Sequence, residues 1–529
     1  MSQIHKSAWL LVLLSAALQI LIFPLPNLYM LCWVAITPLL IALFRARQPH
    51  SLQLRAGIKL LPASLLQAFL LAYVCGILWY AGTCYWIYSV MHQYGGVSTP
   101  LGIVILLLFC LYLALYHGVF GLLVSLLAGG SPFNLRALLL SPVVWVAVEL
   151  ARTRVTGFPW GLLGTTQVDN IALSRIASVT GVYGLSFEIM LVNAALAAAF
   201  LVPREKRKRL LLATVVAALI LQAGSLIPAP VLPADHTAVL VQANVPILEG
   251  TDWTKPYFND TLRDLSQISL DLHGRPSHPD LIVWPESPAP FYASDPLFRD
   301  AVSAVARQSQ AWLLTGSIGT RNASTTPDQA TEIYNSASLV SPNGDWVAHY
   351  DKIHLVPFGE YVPFKQIFSF AGGLTKEVGD FSRGASRVPL DAGGTRLGVF
   401  ICYESIFPDD IRQFASNGAQ VLVNISNDGW YGDSGAYAQH LKQSRMRAVE
   451  NNRWLLIDTN TGRTAVVDPN GRIVASAPRK TRTALQVPYA LSITTTFYTR
   501  HGDWFAYLCA IISVAALFMQ LLVRRSKET

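Results

Sequence analysis

Two textures divide this chain. Long apolar runs fall at roughly 8–23, 28–44, 62–91, 101–128, 137–151, 172–201 and 210–227, and another covers about 504–523. Most reach or approach the ~20 residues that a spanning helix needs, so the pattern predicts about eight membrane spans. The first run stops at Pro24. No small-residue cleavage site follows it and further spans come directly after, so it reads as a span rather than a leader. Residues 228–500 open with the linker PAPVLPAD and then change character. Short apolar runs predict strands near 237–243, 280–284, 311–316, 334–341, 397–402, 420–425, 454–458 and 464–468. Polar segments with helical spacing fit at about 255–272, 296–308, 405–416 and 436–451. Alternation at this spacing predicts an α/β domain with buried sheets. The expected organisation is therefore a transmembrane bundle over 1–227, an α/β domain over 228–500, and a last span with its tail over 501–529.

Charge changes this picture by giving it an orientation. A hydrophobic share of 52% is too high for a purely soluble chain, and the net charge of +8 comes from basic residues beside apolar runs. That is the signature of membrane topology, not of a phosphate-binding face, so no nucleic-acid partner is expected. Lys6, Arg45, Arg47, Arg55, Lys59, Arg136, Arg204, Lys206, Arg207, Lys208, Arg209, Arg524, Arg525 and Lys527 can all share one face. The opposite loops hold mainly Arg152, Arg154 and Arg175. The positive-inside rule makes the basic face cytoplasmic and puts 228–500 outside. Trp79, Tyr80, Tyr85, Trp86 and Tyr88 near the outer end of their run read first as an interfacial aromatic belt. The loop TGFPWG at 156–161 can cap a bundle or line a lipid entrance.

Candidate chemistry centres on TRLGVFICYESIF, residues 395–407. Cys402 stands between a predicted strand and a predicted helix that follows Ser405, where helix amide dipoles favour a thiolate. Cys32, Cys75, Cys84, Cys110 and Cys509 lie in or beside apolar runs, so Cys402 has no disulfide partner in its domain. A lone strand cysteine can equally be structural. Glu286 follows the run LIVWP, where Pro285 fixes the backbone and burial would raise a carboxyl toward general-base range; a strand-end acid can equally solvate a turn. Lys352, in HYDKIHLVPFGEYVP with Glu360 beyond the Gly359 turn, can form a structural ion pair or stabilise an oxyanion. Together these are a base, an electrophilic stabiliser and a nucleophile at the ends of predicted strands. No Cys/His spacing resembles a zinc site.

WPE at 284–286, the Lys352 segment, ICYE at 401–404 and SNDGWYG at 426–432 resemble the carbon–nitrogen hydrolase (nitrilase) superfamily. With spans on both sides, and with KIHLVPFGEYVPF, TGFPWG and RMRAVENNR at 445–453, nearly the whole chain resembles the bacterial apolipoprotein N-acyltransferase family. That resemblance implies a nitrilase-like αββα sandwich set on a multi-pass bundle of about eight helices. It implies Glu286 as base, Lys352 as oxyanion stabiliser and Cys402 as nucleophile, with Glu360, Tyr403 and Glu404 supporting them. Trp253 and Trp430 match aromatic positions of the family's site, and Phe358 and Tyr361 are further candidates to line the substrate. The implied reaction is ping-pong. An acyl chain leaves a phosphatidylethanolamine-like phospholipid for a Cys402 thioester and then joins the N-terminal amine of a diacylglyceryl apolipoprotein, in the inner membrane and on its periplasmic side. No cofactor or metal is implied. A membrane-tethered amidase acting on a soluble amide is the alternative within the superfamily. A transporter is the alternative outside it, disfavoured because ionisable residues in the runs are few, chiefly His117, Glu149 and Glu188. Residues 363–382 are apolar enough to suggest an arm resting on the bilayer, hinged at Gly372 and Gly373.

Overall fold

The computed structural model describes residues 3–48, 60–129, 135–226, 233–247, 254–271, 278–322, 331–362 and 380–528. The chain forms two compact units, one of residues 1–89, 98–228 and 501–529, the other of residues 90–97 and 229–500. The arm expected at 363–382 falls almost entirely, and Trp253 wholly, outside the described residues.

In the first unit, four described helices are long and apolar enough to cross a membrane: Leu65–Thr83, Thr99–Ala128, Val182–Leu201 and Trp504–Val523. Lys6–Leu21, Tyr29–Phe44 and Ile171–Thr180 are shorter apolar segments. Ser64 starts the helix Leu65–Thr83 with a capping box to Gln67, and Gly129 ends Thr99–Ala128 in the left-handed conformation. These two helices approach closely through small residues: a Cβ at Gly121 would lie 2.5 Å from the Ala68 carbonyl oxygen. Their outward positions are apolar, with Ile103, Leu107 and Leu108 exposed, a surface suited to lipid rather than water. The aromatic cluster departs from the expected belt. Trp79, Tyr80 and Trp86 are buried inside the unit, Trp86 packing on Trp160 of the TGFPWG loop at 4.9 Å between ring centroids, and Tyr85 alone of the five is exposed. Arg152, expected in an open loop, is also buried and donates to the Tyr80 hydroxyl at 2.6 Å.

The second unit contains strands β1 (His236–Gln242), β2 (Leu281–Val283), β3 (Trp312–Asn322), β4 (Thr331–Val340), β5 (Trp346–Asp351) and β6 (Leu390–Ala392). These are followed by β7 (Thr395–Ile401), β8 (Val421–Ser426), β9 (Leu455–Thr459), β10 (Ala465–Val467), β11 (Ile473–Ser476) and β12 (Thr483–Tyr489). Among the described residues they form two six-stranded sheets, β12-β1-β2-β3-β4-β5 and β11-β10-β9-β8-β7-β6. Each sheet has a parallel centre, β1-β2-β3 in one and β7-β8-β9 in the other, flanked by antiparallel strands. Parallel strands covered on both faces need continuous apolar runs, and every residue of β8 is buried. The sheets meet through β1 and β9, and the outer faces carry helices Lys255–Leu270 and Pro296–Ser309 on one side, Pro408–Ser416 and Ala436–Asn451 on the other. The result is the nitrilase-like αββα sandwich. Leu262, Leu265, Trp284, Phe291, Phe298 and Val302 pack the first helix layer onto its sheet.

Candidate active site

The site gathers at the C-terminal ends of β2, β5, β7 and β8, where chain leaving a buried strand must turn and its side chains are held at the sheet edge. Cys402 opens a short 3-10 turn, Cys402–Ile406, and adopts a left-handed backbone with φ of +49°. A side chain rarely takes that region without a compensating restraint. The expected helix from Ser405 starts instead at Pro408, so no α-helix N-terminus meets the sulfur. The thiolate is accordingly not favoured at rest. Burial pushes the Cys402 thiol well above its ordinary range, and the Glu286 and Asp428 carboxylates add to this against the opposing pull of Lys352. A base is needed to ionise it.

Glu286 and Lys352 lie together beside that thiol. The Lys352 ammonium is 3.2 Å from Glu286 Oε1 and 2.9 Å from Glu360 Oε1, and the lysine is buried. Burial alone would lower its pKa, but Glu286, Glu360 and Cys402 outweigh it and hold the group up, so the cation persists. Asn335 on β4 donates from Nδ2 to Glu286 at 2.8 Å and to Glu360 at 2.6 Å. Glu286 Oε2 accepts from the Asn427 amide at 2.8 Å, and Glu360 Oε2 from the Val356 amide at 2.7 Å. Asn335 carries no motif of its own. Its signal in the sequence was its position on a strand of inward side chains.

Glu404 acts as a clamp between two loops. Its Oε1 accepts from Ile353 N at 2.7 Å, His354 N at 3.1 Å and the Tyr350 hydroxyl at 2.8 Å, while Oε2 accepts from Ile401 N at 2.7 Å. The chain just after Lys352 is thereby fixed to the chain just before Cys402. Burial raises the Glu404 carboxyl while those amides and Lys352 draw it back. Tyr403 is buried with its ring edge-on to Phe407 at 5.4 Å between centroids.

The remaining candidates divide. Phe358 takes a left-handed φ of +62° and donates its amide to the Tyr361 carbonyl at 2.8 Å, closing the turn that carries Glu360. Tyr361 is half-buried beneath the Arg383 guanidinium. Trp430 is 40% exposed and meets Tyr94 edge-on at 5.3 Å, while the Tyr94 hydroxyl donates to the Gly429 carbonyl at 3.0 Å. The RMRAVENNR motif is architectural: Arg447 and Glu450 pair at 3.1 Å in the interior, and Arg453 donates to the carbonyls of Ala419 and Asn451. Asp428, within the SNDGWYG motif, and His440 form a further pair whose contact the sequence does not show. His440 on the helix Ala436–Asn451 lies 3.2 Å from Asp428 through Nδ1 and 3.0 Å from the Cys402 carbonyl oxygen through Nε2. Among the described residues no group of three or more His, Cys, Asp or Glu is placed to hold a metal ion.

Residues 15–195 match the apolipoprotein N-acyltransferase N-terminal domain, and residues 240–496 match the carbon-nitrogen hydrolase family. The chain is 36% identical to an apolipoprotein N-acyltransferase of Geobacter metallireducens, over 99% of this chain and 96% of that one. It is 32% identical to one of Shewanella oneidensis, over 84% of this chain and 85% of that one. Among solved structures, Saccharomyces cerevisiae Nit3, a nitrilase-superfamily member, is 20% identical, with 48% of this chain and 90% of that one covered and a TM-score of 0.37.

Proposed function

The chain belongs to the apolipoprotein N-acyltransferase family, and on that premise we propose that it carries an acyl chain from a phospholipid, through a thioester on Cys402, to the N-terminal amine of an S-diacylglyceryl-cysteine lipoprotein. Glu286 takes the Cys402 proton as sulfur attacks the ester carbonyl. The Lys352 ammonium, already spanning Glu286 and Glu360, has a third N–H for the oxyanion. The lysophospholipid oxygen leaves with the proton held by Glu286, and the thioester remains. The lipoprotein amine then attacks that carbonyl, Glu286 accepts the proton the nitrogen sheds, and the thiol is regenerated as the amide forms. A phosphatidylethanolamine-like donor, an inner-membrane location and a periplasmic catalytic domain complete the reading.

The observation that carries it is the contact of buried Lys352 with both Glu286 and Glu360 beside the one cysteine of residues 228–500. The match over residues 15–195 disfavours a simple amidase, which has no need of such a membrane unit. Intact mass of protein purified from membranes tests the proposal. One acyl chain is expected on wild type and none on Cys402→Ala, and a diacylglyceryl-cysteine peptide is expected to discharge the adduct. Full transferase activity in Cys402→Ala overturns it.

A further inference from the structure

Behind the nucleophile lies a buried polar relay that the reaction as written does not use. Asp428, at the turn after β8, accepts from the Ser426 hydroxyl at 2.7 Å and faces His440 Nδ1 at 3.2 Å. The other ring nitrogen, Nε2, lies 3.0 Å from the Cys402 carbonyl oxygen and 2.8 Å from the Ser405 hydroxyl. Both Asp428 and His440 are buried. An imidazole with a carboxylate on one nitrogen and a carbonyl on the other satisfies both only when each nitrogen carries a hydrogen. The raised pKa of His440 agrees: burial opposes the charge, and Asp428 followed by the Cys402 carbonyl restores it.

That hydrogen bond meets the backbone at the one position where this strand end is strained. Cys402 holds a φ of +49°, which needs an outside restraint to persist. The Cys402 carbonyl and the Tyr403 N–H belong to one planar trans peptide and point in opposite directions. Fixing the carbonyl on His440 therefore fixes the direction of the Tyr403 N–H, and the sulfur's backbone with it. We propose that Asp428 and His440 form a positioning dyad that locks the Cys402–Tyr403 peptide, so that its N–H is aimed at the oxyanion formed when Cys402 attacks an acyl carbonyl. His440 touches no reacting atom; it acts through the backbone of the nucleophile. The inference rests on Cys402 as the nucleophile.

Two double variants isolate the dyad while removing its two opposite charges together. Asp428→Asn with His440→Leu removes the side-chain donor from the Cys402 carbonyl. Asp428→Asn with His440→Gln keeps one, because the introduced carboxamide can donate to that carbonyl and accept from the introduced asparagine. Two reactions are followed on each: the burst of 4-nitrophenyl butyrate acylation, which builds an oxyanion, and alkylation by iodoacetamide, which does not. The leucine pair should lower acylation about 10²–10³-fold, as loss of an aligned oxyanion donor does, with alkylation within about threefold of wild type. The glutamine pair should recover at least about tenfold of that loss, since the retained donor is the whole difference. Equal loss of acylation and alkylation in both pairs overturns the proposal, as does unchanged acylation in the leucine pair or equal acylation in the two pairs. Cys402→Ala separates the premise: an acylation burst that survives there removes the nucleophile, whatever the dyad variants do.

Discussion

Glu286 and Glu360 are held by the same two donors. The Lys352 ammonium lies 3.2 Å from Glu286 Oε1 and 2.9 Å from Glu360 Oε1, and the Asn335 carboxamide nitrogen lies 2.8 Å and 2.6 Å from the same two atoms. Two carboxylates this close would repel were the cation and the amide not between them. The arrangement also distinguishes their remaining oxygens. Glu360 Oε2 is taken up by Val356 N in its own turn, whereas Glu286 Oε2 accepts from Asn427 N at the end of β8 and keeps a second lone pair. The proton of Cys402 is therefore expected on Glu286 Oε2.

Asn335→Leu removes one shared donor and leaves two buried carboxylate oxygens under-satisfied. Each such loss costs about 1–3 kcal/mol, so acylation of Cys402 should fall at least about tenfold. Asn335→Asp should be worse, since it puts a third carboxylate beside the pair. The burst of a soluble activated ester measures both, and wild-type acylation in Asn335→Leu would leave the amide without a role.

Lys352→Met should abolish thioester formation through the loss of oxyanion stabilisation, at a cost of about 3 kcal/mol or more. The same change strands Glu286 and Glu360 without their cation, so a lower thermal midpoint should accompany it. Intact mass after incubation with phospholipid gives the first result and a melting curve in detergent gives the second. Adduct forming at the wild-type rate would move the oxyanion role elsewhere.

Much of the α/β unit was legible because parallel strands buried on both faces are largely apolar. β7 and β8 stand out as runs of Leu, Val, Phe and Ile, and Glu286 and Cys402 each follow such a run. β5, β6, β11 and β12 lie outside the apolar runs named from the sequence. In β5 buried and exposed positions mix under a polar sequence, WVAHYD, and β6 is three residues long. Asn335, Asp428 and His440 escaped for a different reason: polar residues earn meaning from their partners, and those partners lie on other elements. A buried helix interface and a headgroup belt draw on the same side chains, so the sequence does not separate Trp79, Tyr80 and Trp86, which are buried, from Tyr85, which is exposed.

Topology reporters fused near residues 230 and 498 should both report the outer side, and one at residue 529 the inner side. The reason is electrostatic: the basic clusters at 45–59 and 204–209 resist translocation. A cytoplasmic signal from residue 230 would reverse the orientation.

The last prediction separates a base from a mere neighbouring charge. The Cys402 thiol is held above its ordinary value of 9.0, first by burial and next by the Glu286 carboxylate, while Lys352 pulls the other way. Removing an anion from beside a thiol favours its thiolate, so Glu286→Gln should lower the pKa of Cys402. Removing a cation disfavours the thiolate, so Lys352→Met should raise it. Thiolate ultraviolet absorbance followed against pH, as the difference from Cys402→Ala, reads both shifts. If Glu286 acted through its charge alone, Glu286→Gln would hold more thiolate at any given pH and acylate faster. If it carries the proton, the same variant titrates lower yet acylates far more slowly, because no group is left to take the proton from sulfur and return it to the leaving oxygen. A lowered thiol pKa together with lost acylation is the expected pair of results. Faster acylation, or a thiol pKa that moves upward in Glu286→Gln, would remove Glu286 as the base.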